Sequence, residues 1–312
     1  MHTISGHHHI SMITKNATKN NHFYKKVLGL RRVKLTVNQD SPSMYHLFFG
    51  DKTGSPGTEL SFFEIPMVGR TQRGTNAITR IGLVVPTIES LEFWRQRFIS
   101  FGVEHGEVTT YANRPALHFQ DAEGLQLVLQ VTGEKVAHWE TWDKSDVPAA
   151  HQIQGMGTVE VTVANLASFA STVTELFGYH PLSQTDTEVI FQSVAGEIFG
   201  EFVAIKKDGP NEKPGKGSIH HVAIRIKDDE ELIYWEQQVR ARGFMTAGIV
   251  DRYYFKSLYF REENGILFEL ATDGPGFMID GDVERLGEQL DLPPFLQSRR
   301  AEIEADLKPI EE

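Results

Sequence analysis

The sequence predicts an α+β fold, in which four copies of one βαβββ module pair into two incomplete barrels and a helix follows at the C-terminus. Three features of the sequence support this prediction. An alternating apolar strand, an amphipathic helix and a glycine just beyond the helix recur in that order four times. A single module would leave one face of its sheet uncovered, so the modules are expected to pair edge to edge.

The repeated opening strand is the clearest signal in the sequence. It reads HHISMI from His8, TRIGLVV from Thr79, GTVEVTV from Gly157 and HHVAIRI from His220. After each opening strand, apolar residues recur with helical spacing, which predicts an amphipathic helix. The four predicted helices span residues 18–28, 87–101, 166–177 and 229–242. Their apolar stripes contain Phe23, Val27, Trp94, Phe98, Phe101, Phe169, Val173, Leu176, Leu232, Trp235 and Val239.

The spacing within the modules is nearly constant. The second residues of the opening strands are His9, Arg80, Thr158 and His221, and the glycines that end the helices are Gly29, Gly102, Gly178 and Gly243. Each pair is separated by 20 or 22 residues. Glycine suits the left-handed position after a helix, so these glycines are expected to be C-caps. Each module then ends in a hairpin, such as residues 256–270, where Glu-Asn-Gly supplies the turn.

The length of 312 residues suits two domains. We expect modules one and two in residues 1–133, a linker in 134–154, modules three and four in 155–279, and a tail in 280–312. The linker is charged and contains Pro148, and Trp139 and Trp142 suggest that it docks in part. In the tail, residues 296–307 are expected to form a helix. Leu296, Ile303 and Leu307 would place its apolar face against the domain or a second subunit.

Composition excludes several classes of function. The net charge of −11 argues against binding to a nucleic-acid backbone, which requires a basic face. No apolar run is long enough to span a membrane and no signal peptide is evident, so a cytoplasmic protein is expected. The absence of cysteine excludes disulfides, thiolate metal sites and thiol nucleophiles.

Comparison of the modules identifies a candidate metal site. Only modules one and four place histidine at the second position of the opening strand, as His9 and His221. Aligning the closing strands on Gly57, Gly124, Gly196 and Gly265 sets Ser61, Val128 and Gly200 opposite Glu269. Two histidines and one carboxylate form the triad that suits Fe(II) and leaves coordination positions open. A metal held by all three requires modules one and four to be neighbours, with modules two and three as a second, metal-free pair.

Each of these residues also has a structural interpretation. A histidine at the mouth of a strand is more often exposed or hydrogen-bonded than bound to a metal. Glu269 is the more informative residue, because a carboxylate among Ile266, Leu267, Phe268 and Leu270 is costly unless it is paired. Glu64 is a rival fourth ligand, although its spacing from Ser61 places it on the opposite strand face. His7 is expected to be solvent-exposed.

The chain resembles the two-domain ring-cleaving dioxygenases of the vicinal oxygen chelate superfamily, which also includes glyoxalases and bleomycin-resistance proteins. It is most similar to the hydroquinone-cleaving branch. The resemblance covers nearly the whole chain, and its main segments are HHI near the start, FYKKVLGLRRVK, YHLFFGDKTGSPGTELSFF, IHHVAI and DRYYFKSLYFREENGILFELATDGPGF.

The resemblance implies functional residues that spacing does not identify. It places an active-site Arg and Tyr at Arg252 and Tyr259, and two helper histidines at His8 and His220. From the residues alone, His8 and His220 could equally be surface groups, or reach the rim of the pocket as proton carriers. The resemblance also assigns the metal ligands to the first and last modules, in agreement with His9, His221 and Glu269.

The expected function is therefore an Fe(II)-dependent dioxygenase that opens the ring of a hydroquinone-type or catechol-type substrate with O2. Mn(II) or Zn(II) are alternative metals, and the expected partners are a small aromatic substrate, O2 and further copies of the chain. Two alternatives remain open at this point. One is a metal-dependent lyase, isomerase or thiol transferase of the glyoxalase type, and the other is a metal-free resistance protein that binds small molecules on the same fold.

Overall fold

The computed structural model of the protein describes residues 2–132, 139–193 and 200–311. Gly196, used above to align the third module, and residues 134–138 of the predicted linker lie outside the described residues. The described segments confirm the four βαβββ modules: each consists of a strand, a helix and three further strands.

The strands of the first two modules are β1 (His7–Thr14), β2 (Arg31–Asn38), β3 (Ser41–Gly50), β4 (Glu59–Glu64), β5 (Ala77–Val85), β6 (His105–Tyr111), β7 (Arg114–Gln120) and β8 (Gln126–Val131). Those of the last two modules are β9 (Gly155–Val163), β10 (His180–Gln184), β11 (Glu188–Gln192), β12 (Glu201–Lys206), β13 (Ile219–Ile226), β14 (Ile249–Asp251), β15 (Phe255–Arg261) and β16 (Leu267–Pro275). The helices are α1 (Ala17–Asn21), α2 (Ile88–Phe101), α3 (Leu166–Ser171), α4 (Asp229–Ala241) and α5 (Arg300–Asp306).

The strands form two eight-stranded sheets, each made from two modules. The first sheet has the order β14-β15-β16-β13-β1-β4-β3-β2, so it joins module four to module one. The second has the order β10-β11-β12-β9-β5-β8-β7-β6 and joins module three to module two. Both predicted module pairings are confirmed. Each sheet thus takes one module from each half of the sequence.

The opening strands form the seam between the paired modules. β1 pairs antiparallel with β13, and Ser11 lies opposite His221 in this register. β5 pairs with β9 in the same way in the second sheet. The register of β1 shifts between His7 and His9 and again between Ser11 and Met12, which marks irregularities at both ends of the strand.

The helices begin and end close to the predicted positions. α1 and α3 each continue into π-helical turns, over His22–Val27 and Thr172–Leu176. The four glycines beyond the helices all have positive φ values, between 66° and 86°, which confirms their predicted role as left-handed caps.

The helices bury their apolar stripes against the sheets, as predicted from their spacing. Trp94, Phe98 and Phe169 are fully buried, and Trp235 is nearly so. Phe101 is an exception: it was expected in the stripe of α2 but is 42% exposed, because it is the last residue of the helix. Among the described residues, no helix combines the length and the hydropathy that crossing a membrane would require.

The described part of the predicted linker packs against the domain. The ring of Trp139 lies so close to Gly57 and Gly155 that a methyl group added at Gly155 would fall about 2.5 Å from it. This contact explains a glycine at Gly155, whose φ of 137° is itself unfavourable for other residues. The partial docking expected from Trp139 is therefore confirmed.

The C-terminal tail covers the first sheet. The predicted helix is divided: Pro294–Arg299 is a 3₁₀-helix and α5 follows it. Leu296, Ile303 and Leu307 are all buried in the main core, as their spacing suggested. The tail therefore packs on its own domain through the predicted apolar face.

A buried lysine fixes the segment that precedes α5. Lys34, on β2, has no exposed surface, and its Nζ lies 2.7 Å from a carboxylate oxygen of both Asp280 and Asp291. The Lys34 ammonium also lies 4.9 Å from the centre of the Tyr254 ring, and the Tyr254 hydroxyl donates to Asp280 at 3.0 Å. The tail is thus tied to the wall that supports the candidate site described below.

We predict that Lys34→Met destabilises the protein by about 3–5 kcal/mol, because the substitution leaves two largely buried carboxylates without their cation. Urea unfolding followed by circular dichroism measures the change. The matched control is Lys227→Met, since the Lys227 side chain is 82% exposed and its ion pair is long, at 3.8 Å. Equal unfolding midpoints for the two variants would contradict the structural role of Lys34.

Candidate metal centre

Three strands of the first sheet bring the predicted ligands together. His9 lies on β1, His221 on β13 and Glu269 on β16, which are adjacent strands. The Nε2 atoms of the two histidines are 3.3 Å apart, and the Oε2 atom of Glu269 lies 3.2 Å from His9 Nε2 and 2.8 Å from His221 Nε2. All three side chains are buried, with at most 3% of their surface exposed.

The spacing of the three atoms fits ligands on one face of a metal ion. Metal bonds of about 2.1 Å at right angles would place neighbouring ligand atoms about 3.0 Å apart, and tetrahedral angles would place them about 3.4 Å apart. The observed separations of 2.8–3.3 Å are compatible with either arrangement. Such a facial set leaves the opposite face open to other ligands.

Hydrogen bonding orients His9 with a free electron pair at Nε2. His8 Nε2 lies 3.1 Å from the carbonyl oxygen of Thr272, which can only accept, so His8 donates from Nε2. Burial lowers the pKa of His8 well below its usual value, and the neutral ring must therefore accept at Nδ1. His9 Nδ1 lies 3.0 Å from that atom and donates to it. With Nδ1 donating, His9 directs its Nε2 atom toward Glu269 and His221.

A second histidine pair has the same order in module four. His220 Nδ1 and His221 Nδ1 are 2.8 Å apart. Donation from His221 Nδ1 to His220 leaves the His221 Nε2 lone pair facing the other two candidate ligands. Burial also lowers the pKa of His221, which favours the neutral ring.

Glu269 is held as a carboxylate with one oxygen free. Burial raises the pKa of its carboxyl group, but interactions with His9 and His221 outweigh burial and keep the pKa well below its usual value. Its Oε1 atom accepts a hydrogen bond of 2.5 Å from Ser257, whereas the buried Oε2 atom has no hydrogen-bond partner. Two imidazole rings and a carboxylate whose nearest atoms converge within 3.3 Å of one another are favourable around a cation, so the residues fit a metal ion.

A second group of possible ligands lies behind the first. His8, His9 and Glu59 have ligand atoms within 4.8 Å of one another, and Glu59 lies opposite His9 in the β1–β4 register. Burial raises the pKa of Glu59 well above its usual value, which favours the protonated form, a poor ligand. Neither His8 nor Glu59 lines the cavity next to the centre. The group of His9, His221 and Glu269 is therefore the better metal site.

A cavity of about 360 Å³ opens onto the three candidate ligands. Its walls are mainly apolar and include Ile13, Met44, Phe63, Phe255 and Leu267. A cavity of this size with a few polar groups at one end suits a small organic ligand.

Arg252 and Tyr259 both line the cavity, as the resemblance implied. Tyr259 lies opposite Glu269 in the β15–β16 register, and its ring is 5.8 Å from that of His221. Burial, together with the charge of Glu269, raises the pKa of Tyr259, so the phenol stays protonated. The Arg252 guanidinium is 5.7 Å from the Tyr259 ring centre, and its Nη1 atom pairs with Asp40 at 3.0 Å. This ion pair joins module four to module one across the cavity.

The two helper histidines occupy different places. His220 lines the cavity, and its ring is 5.9 Å from that of Phe63. His8 is buried behind His9, with 1% of its surface exposed, and does not line the cavity. His220 can therefore contact a molecule in the cavity, whereas His8 is separated from the cavity and contacts His9.

Two other predictions have definite outcomes. His7 was expected to be solvent-exposed, which is wrong: it is 1% exposed and packs on Phe202 of the second sheet, with ring centres 4.7 Å apart. The reason is that β1 lies in the middle of its sheet.

Glu64 lies on the face away from the ligands, as its spacing predicted, and accepts a hydrogen bond from the backbone of Ala17 at 2.7 Å.

Sequence reasoning missed four residues near the centre: Asp40, His46, Ser257 and Glu59. His46 is a polar residue within the largely apolar run MYHLFF of β3, which is the signal that identified Glu269, whereas Glu59 begins a strand with two other polar residues. Ser257 is two residues from Tyr259 and thus faces the same side of β15. Asp40 gave no comparable signal, because it lies in a turn and meets Arg252 only through the tertiary fold.

The second sheet has an ion pair where the first has its candidate ligands. Arg80, equivalent to His9, pairs with Glu160 at 2.7 Å, and Tyr111 donates to the same carboxylate at 2.8 Å. Thr158, equivalent to His221, contacts the side-chain oxygen of Gln130. The positions equivalent to His9 and His221 thus hold side chains that pair with neighbouring protein groups.

Comparison with known proteins supplies the family. The model of the Glyoxalase/Bleomycin resistance protein/Dioxygenase superfamily matches residues 6–129 and 155–270. The chain is 48% identical, over 99% of both chains, to a Bacillus subtilis protein provisionally named ring-cleaving dioxygenase MhqA. It is 27% identical to the chlorohydroquinone/hydroquinone 1,2-dioxygenase of Sphingobium indicum, over 96% of this chain and 95% of the relative.

Solved structures agree on the fold. A crystal structure of a provisionally named dioxygenase from Bacillus subtilis superposes with a TM-score of 0.92 at 32% identity, covering 100% of this chain and 99% of that one. Glyoxalase I from Zea mays superposes with a TM-score of 0.62 at 13% identity, over 86% of this chain and 92% of that one, which is a likeness of fold alone.

We predict that His221→Ala reduces the metal bound after anaerobic loading with Fe(II) to less than about one tenth of the wild-type amount, because one of three protein ligands is removed. Elemental analysis of desalted protein gives the metal content. His180→Ala is the control, since this histidine is exposed on β10 of the second sheet. An unchanged metal content in His221→Ala would show that the metal, if any, is held elsewhere.

Proposed function

Since this chain belongs to the glyoxalase/bleomycin resistance protein/dioxygenase superfamily and, within it, to the ring-cleaving dioxygenases, we propose that it is an Fe(II)-dependent enzyme that opens the ring of a hydroquinone-type substrate with O2. One observation carries the proposal. His9, His221 and Glu269 present three converging electron pairs at the wall of a largely apolar cavity. The similarity to a chlorohydroquinone/hydroquinone 1,2-dioxygenase supports the choice of a hydroquinone-type substrate.

His9, His221 and Glu269 would hold the metal in this proposal. A bound Fe(II) ion would supply Lewis acidity toward a phenol oxygen and the capacity to activate O2. Both oxygen atoms of O2 enter the product, one carbon–carbon bond of the ring breaks, and the ring supplies the electrons. The remaining contributions come from the residues that line the cavity.

The apolar residues of the cavity position the ring. Phe63, Phe255 and Leu267 surround the space next to the candidate ligands, and they offer flat or branched apolar surfaces to a planar substrate. These side chains also displace water from the reacting atoms, which strengthens the electrostatic interactions there.

Three polar groups of the cavity are placed to move or stabilise charge. His220 lines the cavity beside His221 and, with its Nδ1 accepting from His221, can donate a hydrogen bond from Nε2 to an oxygen of the substrate. Tyr259, held as a protonated phenol next to Glu269, can donate a hydrogen bond to oxygen. Arg252 supplies a positive charge that favours negative charge developing on oxygen.

The structure gives less support to the two alternative functions. Metal-dependent glyoxalase chemistry usually uses a fourth protein ligand, and the candidates from the sequence were Ser61 and Glu64. The Ser61 hydroxyl is 2.5 Å from that of Ser11, and Glu64 binds the backbone of Ala17 on the other face. A metal-free binding protein would leave the free Oε2 atom of Glu269 buried without a partner.

We predict that protein loaded anaerobically with Fe(II) consumes one O2 per molecule of hydroquinone and forms a ring-opened acid. An oxygen electrode measures consumption, and mass spectrometry with ¹⁸O2 counts the oxygen atoms that are incorporated. His221→Ala should consume none above background, and His180→Ala should match wild type. The proposal fails if the iron-loaded wild-type protein consumes no oxygen with any hydroquinone or catechol.

We also predict that Tyr259→Phe lowers kcat by about 10- to 1000-fold while the iron content stays unchanged, because the phenol hydroxyl contributes to the reaction and not to the ligand set. Steady-state oxygen consumption and elemental analysis on the same samples separate the two effects. A loss of iron that parallels the loss of rate would instead assign Tyr259 to supporting Glu269, its cross-strand neighbour.

A further inference from the structure

His46 is a polar residue of the cavity wall that the proposed chemistry does not use. It lies on β3, separated from β1 by β4, whereas the candidate ligands lie on β1, β13 and β16. Because the sheet curls around the cavity, His46 and the ligands line the same space. His46 is therefore two strands away from His9 in the sheet, although both residues line the same cavity.

Aromatic packing fixes the orientation of the His46 ring. The ring centre is 4.1 Å from those of both Phe48 and Phe63, with interplanar angles of 41° and 28°. A ring held on two sides presents its nitrogen atoms in fixed directions. The buried Nε2 atom has no hydrogen-bond partner within the protein. A buried polar atom without a partner is unfavourable, so its retention indicates a ligand or water that pairs with it.

The environment keeps His46 neutral. Burial lowers its pKa well below the usual value. A neutral imidazole can donate at one nitrogen and accept at the other, and can therefore pair with a hydroxyl group.

The residues around His46 indicate which kind of molecule would carry a hydroxyl group that pairs with it. Met44 and Phe63 line the cavity around it, and its cross-strand partner on β2 is Thr36, another cavity residue. Phe63, on the intervening strand β4, has its ring centre 4.1 Å from that of His46 and 5.9 Å from that of His220, so an apolar ring lies between His46 and β13. The cavity thus has polar groups on both sides of Phe63, and its volume of about 360 Å³ is enough for a single aromatic ring.

We propose that His46 binds the hydroxyl group of the substrate that lies para to the oxygen at the metal, and so selects 1,4-dihydroxyarenes over 1,2-dihydroxyarenes. This inference rests on the proposed function. The two oxygens of a catechol are adjacent and both face the metal. A hydroquinone has one oxygen at the metal and one at the far edge of the ring, where His46 can bind it.

The test compares hydroquinone with phenol, which lacks the second hydroxyl group. Binding of each to Fe(II)-loaded protein is measured anaerobically by calorimetry, for wild type and for His46→Phe. Phenylalanine keeps an aromatic ring against Phe48 and Phe63 but cannot form a hydrogen bond. We expect wild type to bind hydroquinone about tenfold more tightly than phenol, and His46→Phe to bind the two within about twofold. Phenol affinity should be the same in both proteins.

Two controls make the result specific. His180→Phe, at an exposed position of the second sheet, should keep the wild-type preference for hydroquinone. His46→Gln, which restores a polar group, should recover part of that preference. Unchanged phenol binding shows that the cavity of the variant is intact. If His46→Phe no longer binds phenol, the preference for hydroquinone over phenol is compared between His46→Gln and His46→Leu instead.

The outcomes separate this inference from the proposed function. If His46→Phe keeps the wild-type preference for hydroquinone over phenol, the role of His46 is overturned whether or not the protein turns over. If wild type shows the preference but consumes no oxygen, the binding role of His46 stands and the dioxygenase proposal fails. In turnover, the ratio of kcat/KM for hydroquinone to that for catechol should fall about tenfold in His46→Phe, and an unchanged ratio would contradict the proposed selectivity.

Discussion

The antiparallel pairing of β1 with β13 is the interaction on which the candidate site depends. It joins the first module to the fourth, although most of the chain lies between them. His9 and Ser11 come from one strand of this seam and His221 from the other, and β16 adds Glu269 beside β13. Neither module could form the site alone, because each supplies only part of the ligand set. The site therefore exists only in the assembled sheet.

The second sheet has the same topology as the first but different residues at the positions of His9, His221 and Glu269. β5 and β9 form an equivalent seam, but Arg80, Glu160 and Tyr111 pair with one another near it. Arg80 and Glu160 form an ion pair with each other, whereas His9, His221 and Glu269 converge at the wall of a cavity. The residues at a few repeat positions thus distinguish two sheets that share one topology.

The sequence predicted the modules, their pairing and the cluster of His9, His221 and Glu269, because the repeat has a strong period and only two modules place histidine at the key position. The periodicity could not show the irregularity of β1 between His7 and His9, and the exposed setting expected for His7 was wrong. The periodicity also could not predict contacts between modules. The Arg252–Asp40 pair and the link between Lys34 and the tail join residues more than 200 positions apart and have no local signal.

The central claim is that one metal ion joins the two ends of the chain through His9, His221 and Glu269. Anomalous diffraction at the iron edge, from crystals grown anaerobically with Fe(II), tests it most directly. The account predicts a single strong peak within bonding distance of the Nε2 atoms of both histidines and Oε2 of Glu269. A peak between His8, His9 and Glu59, or no peak near β1 at all, would contradict it.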